Sequence, residues 1–111
     1  MKTFFVALFA LPAALAAPTA SAFPIQSVEC ACMNAAGETR VSGTCQYQNG
    51  TPTTSGPEYC YRAVSWAREM NTVFNNELCP QWYGEEWTKG VCRPVKLCQR
   101  PGLSSEYYAR C

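Results

Sequence analysis

Eight cysteines constrain this chain more than any other feature: Cys30, Cys32, Cys45, Cys60, Cys79, Cys92, Cys98 and Cys111, spread over a sequence of 111 residues. An even number in so short a chain reads as a disulfide framework. The competing reading, a zinc site, asks for Cys-x2-4-Cys pairs or histidines. The chain offers Cys-x-Cys, Cys-x5-Cys and no histidine, so no metal and no cofactor are expected.

A disulfide framework needs an oxidising compartment, and the N-terminus supplies the route. Lys2 precedes an uncharged, largely apolar run from Thr3 to Leu15, and the small-residue patterns Ala14-Leu15-Ala16 and Ala20-Ser21-Ala22 follow. This is the layout of a secretory signal peptide over residues 1–22, with cleavage after Ala16 or Ala22. The run falls short of the roughly 20 residues that span a bilayer, and Pro12 interrupts it. The remainder, residues 23–111, reads as a single secreted domain without repeat or linker. Its small size explains the need for cross-links, because so short a chain buries too little apolar surface to offset its conformational entropy.

Removing the leader removes Lys2, one of nine basic residues, and leaves basic and acidic residues balanced at eight each. A net charge near zero provides no overall field toward nucleic acid or an anionic membrane. The acids are all glutamates, and both aspartate and histidine are absent. That removes Ser-His and Cys-His nucleophiles, histidine-dependent nucleases and phospholipases, aspartate dyads and Asp-built calcium loops. The chain reads as a non-enzyme.

Residues 26–33 and 40–47 alternate in polarity around the turn-rich Asn34–Gly37, which predicts a β-hairpin. Cys30 and Cys32 then face the core together and bridge to different partners. Residues 48–57 form a loop with the N-glycosylation sequon Asn49-Gly50-Thr51. From Tyr59 to Asn76, Cys60, Ala63, Val64, Ala67, Met70 and Phe74 recur at three- and four-residue steps, which predicts an amphipathic helix. Ser55 and Glu58 fit its capping box, and Glu58 sets an i, i+4 pair with Arg62. A short strand is expected over Thr88–Val91 and one helical turn over Ser104–Arg110. The fold class is α+β: one helix packed on a short antiparallel sheet. Such a helix separates Cys60 from Cys79 by about 25 Å, too far for a bridge. Cys60 should then pair with Cys30 or Cys32, and Cys79 with Cys92, Cys98 or Cys111.

Three segments are candidates for chemistry. Trp82, Tyr83 and Trp87 flank Gly84 and two glutamates, and read as a partly exposed aromatic binding surface. Glu85 and Glu86 invite a glycosidase reading, but adjacent residues point apart and do not flank one bond. Arg93 to Lys96, within a loop closed by Cys92 and Cys98, has the makings of a protease-inhibitor bait.

The leader MKTFFVALFALPAALAAP, the Cys30-x-Cys32 start followed by Cys45, and the even cysteine set give a chain that resembles the small secreted cysteine-rich proteins of filamentous fungi. Many of these are effectors toward a host. Adjacent cysteine pairs, which hydrophobins and hevein-type chitin binders require, are missing. The resemblance implies an extracellular, monomeric, non-catalytic effector or virulence-type protein. Its partner would be a host or competitor macromolecule, with no nucleic-acid binding and no membrane insertion. A chitin-fragment binder using the three aromatics, a protease inhibitor and an antimicrobial toxin are the alternatives, the last disfavoured by the balanced charge.

Overall fold

The computed structural model describes residues 24–111, so the expected signal peptide over residues 1–22 lies outside the described residues. Six strands, β1 (Ile25–Met33), β2 (Thr39–Arg40), β3 (Gly50–Pro52), β4 (Cys60–Arg62), β5 (Lys89–Gln99) and β6 (Tyr108–Arg110), form one antiparallel sheet. Two short helices, α1 (Thr44–Tyr47) and α2 (Cys79–Tyr83), and a 3-10 turn at Met70–Thr72 complete the elements. None of these helices is long and apolar enough to cross a membrane.

The sheet runs in the order β3-β4-β1-β5-β6, with β2 on the end of β1. Its spine is the long β1–β5 pair, in register from Ile25↔Leu97 to Met33↔Lys89. Beyond β4 the chain turns back onto β6. Val64 bridges Tyr107, Ser65 N–H donates to the Glu106 carbonyl (2.8 Å), and Tyr108 N–H donates to the Ala63 carbonyl (2.9 Å). The strand path β4-β1-β5-β6 thus returns to its start.

Strand alternation sorts the interior into two clusters. On one face Cys30, Cys32 and Cys60 join Val41, Cys45, Met70, Val73, Phe74 and Cys79 in the main core. On the other, Tyr61, Val95 and Leu97 are buried with Tyr108 against them. All eight cysteines are paired, as Cys30–Cys92, Cys32–Cys79, Cys45–Cys60 and Cys98–Cys111. Cys30 and Cys32 do face the core together and bridge to different partners.

The outer edge of β5 is open between Lys89 and β6, and its chemistry closes it. Cys30 and Cys92 face each other with Cα atoms 4.0 Å apart, the spacing of a non-hydrogen-bonded pair. Even-numbered residues of β5 therefore aim their backbone groups away from β1. Gly90 N–H is capped by the Asn76 side chain at 2.8 Å. Pro94 has no N–H to offer, and the Lys96 carbonyl accepts from Cys111 N–H at 3.1 Å.

The helix expected over residues 59–76 does not form. Its segment holds β4, a turn at Ser65–Ala67 and the 3-10 turn. The reason is distance. Cys60 is in register with Cys30, while Cys79 is bonded to Cys32, two residues along the same strand and only about 7 Å away. A straight helix of that length spans about 25 Å and leaves no path back. Glu58 does not cap a helix either: its carboxylate accepts from Val41 N–H (2.9 Å), and Arg62 pairs with Glu69 (2.8 Å). Cys60 and Cys79 are indeed not bonded to each other, but their expected partners are corrected. Cys60 takes Cys45, and Cys79 takes Cys32.

Three further expectations change. The hairpin is real at Cys32↔Arg40 and Met33↔Thr39, but its second arm stops there, and residues 44–47 are helical. The strand expected over residues 88–91 opens β5, which continues to Gln99, and Cys92 and Cys98 do not close a loop. The tail contributes strand β6 in place of a helical turn. The fold is thus a small, four-disulfide, mostly β domain.

Candidate functional site

One of several surface recesses is a groove of about 420 Å3 lined by Arg40, Ser42, Gly43, Thr44, Tyr47, Trp82 and Tyr83, and it is the one that gathers exposed aromatic side chains. Two short helices build it, each nailed to the sheet by a disulfide. In α1 the buried Cys45 bonds to Cys60, and in α2 the buried Cys79 bonds to Cys32. Gly43, at φ 83°, turns the chain between β2 and α1, a conformation glycine adopts without steric cost.

The aromatic side chains differ in how they are held. Trp82 donates its indole N–H to the Val73 carbonyl at 2.9 Å, and the residue is 36% exposed. Its polar edge is satisfied inward and its orientation is fixed. Tyr83 donates its hydroxyl to the Ser42 carbonyl at 2.9 Å, tying α2 to the turn before α1. Burial raises its phenol above the ordinary value, outweighing the opposing pull of Thr44 and of the Arg40 guanidinium. That guanidinium lies 4.9 Å from the Tyr83 ring centre and 5.8 Å from that of Trp87, within cation–π range. Tyr83 and Trp87 meet edge to face at 6.2 Å. Tyr47 is 80% exposed and anchors nothing.

Of the three aromatics singled out from sequence, Trp82 and Tyr83 line the groove. Trp87 is packed against the main core and supports Tyr83 and Arg40 from behind. Arg40 and Tyr47 were missed. A strand over residues 40–47 would put Tyr47 on the inward face with Cys45, because residues two apart share a strand face. On a helix they point about 200° apart, and Tyr47 swings outward.

The other candidates fall elsewhere. Glu85 and Glu86 are exposed and line a separate recess with Asn34, Ala35 and Ala36. Arg93 is a strand residue whose guanidinium binds the buried Glu29. Lys96 is exposed at the β5–β6 junction. Asn49 is exposed in the turn before β3, at φ 62°. Trp66, 57% exposed and edge-on to Tyr107 at 6.0 Å, is a second surface indole that the sequence reading passed over.

No family model, no curated protein and no solved structure matches this chain.

Proposed function

We propose that the chain is a secreted, non-catalytic binding protein of the effector type, which engages a macromolecule of a host or competitor through the groove between α1 and α2. The observation that carries this reading is the combination of a pinned, partly exposed Trp82 with an unanchored, exposed Tyr47 on one groove. Aromatic rings with few rotatable bonds give large contact area at little entropic cost and dominate binding hot spots. The test is capture from host extracellular extract by the oxidised, immobilised protein. Tyr47→Ala, which removes an exposed ring that makes no side-chain hydrogen bond among the described residues, should abolish capture of a partner that the unaltered protein retains. Equal capture by both would count against the groove.

A glycan as that partner is the second reading. It is favoured by the flat ring of Trp82 beside the hydrogen-bonding groups of Ser42 and Thr44, the mixture that stacks on and brackets a sugar. A glycan array separates the two. The protease-inhibitor reading loses support, since Arg93 is engaged with Glu29. Export also implies use of the Asn49 sequon, and the exposure of Asn49 supports it. Material from a eukaryotic secretory host should gain gel mobility on treatment with an N-glycosidase.

A further inference from the structure

We propose that Arg93 and Arg110 form a receptor for an oxyanion group on the β5–β6 side of the sheet, held ready by the buried carboxylate of Glu29. Glu29 is 1% exposed, in the middle of β1 and in register with Arg93. Arg93 Nε lies 2.5 Å from its Oε2, and Arg110 Nε lies 3.6 Å from its Oε1. One arginine neutralises one buried carboxylate. The second makes no hydrogen bond to it, and Oε1 has no hydrogen-bond partner among the described residues. The cluster therefore carries one positive charge more than the fold needs.

That surplus faces water. The two arginine side chains remain 41% and 49% exposed, and neither donates a hydrogen bond to any described residue other than Glu29. Both turn Nε toward the carboxylate, which leaves amino groups of two planar guanidiniums for an outside acceptor. Arg93 is fixed further by Tyr59, whose ring centre lies 3.8 Å from its guanidinium carbon. Guanidiniums fixed in this way bind carboxylate, sulfate or phosphate oxygens with little ordering cost. The surroundings favour it. Residues 89–111 carry Lys89, Arg93, Lys96, Arg100 and Arg110 against the single acid Glu106, with Lys89 on the Arg93 face of β5 and Lys96 on the other. The balanced net charge thus conceals a basic segment over residues 89–111, and local charge of one sign raises the local concentration of anions.

The experiment follows the Arg93 and Arg110 Nε–H resonances of the oxidised domain by NMR, at constant ionic strength. Sodium sulfate and a sulfated tetrasaccharide are titrated, with chloride as the reference. Saturable shifts at both arginines with free sulfate assign a site for the small ion. Saturation with the tetrasaccharide alone assigns a site for a chain-borne sulfate. Arg110→Gln, and Arg110→Lys if the first variant does not fold, should weaken binding about tenfold or more while leaving the backbone spectrum intact. Shifts that follow chloride without saturating, or unchanged binding in the Arg110 variant, would overturn the proposal.

Discussion

At Gly50 the backbone passes so close to the Cys45–Cys60 bridge that a β-carbon would overlap Cys60 Sγ and sit 3.0 Å from Cys45 Sγ. The second residue of the sequon is therefore a packing requirement as well as part of an enzyme recognition signal. Gly50→Ala should cost on the order of 1–3 kcal/mol, read as a lower urea midpoint. The groove's Tyr83 makes a different prediction. Its phenol is raised above the ordinary value of 10.0 chiefly by burial, so folding favours the neutral form. That contribution is fully present below about pH 10 and is lost as pH rises through the raised value. Urea unfolding across this alkaline range should show a steeper loss of stability in the unaltered protein than in Tyr83→Phe. Parallel curves would mean that the phenol is not buried in the groove as described.

Among the elements, β5 carries the sharpest expectation. Its open edge is interrupted at Pro94, capped at Gly90 and covered from Lys96 onward. Exposed strand edges recruit other chains, and a proline aimed outward blocks the recruitment. Pro94→Thr restores the missing N–H, and should shift the protein toward dimers and larger species in size-exclusion chromatography, increasingly with concentration. How much of this was legible varies from element to element. The alternation of residues 26–33 gave β1 and the inward aim of Cys30 and Cys32, because a half-buried strand needs only a period of two. The three- and four-residue spacing after Tyr59 picked out residues that are in fact buried, Cys60, Val64, Ala67, Met70 and Phe74. It misjudged their geometry. An irregular segment pinned at both ends can bury the same side chains through turns, and the pinning comes from bonds to β1 that no local pattern encodes. The groove was half legible for the same reason. Trp82 and Tyr83 stand out by residue type, while Arg40 and Tyr47 reach it only through a hairpin and a helical turn whose meeting is tertiary.

Across the whole molecule the pairings divide by reach. Cys45–Cys60 and Cys98–Cys111 close short loops, with sequence separations of 15 and 13, while Cys32–Cys79 and Cys30–Cys92 join residues 47 and 62 apart. The spine of the sheet is itself one of the distant pairings, since β1 finds its main neighbour only in β5. During oxidative refolding the entropic cost of closing a loop rises with its length, so the two short bridges should accumulate first. Acid-trapped intermediates mapped by mass spectrometry should contain Cys45–Cys60 and Cys98–Cys111 before Cys30–Cys92. During synthesis the same geometry imposes a waiting time. The central strand emerges early and stays without its partner until some sixty further residues have been delivered. Cys30 waits through that whole interval and Cys32 through 47 residues of it, both open to wrong partners until their own arrive.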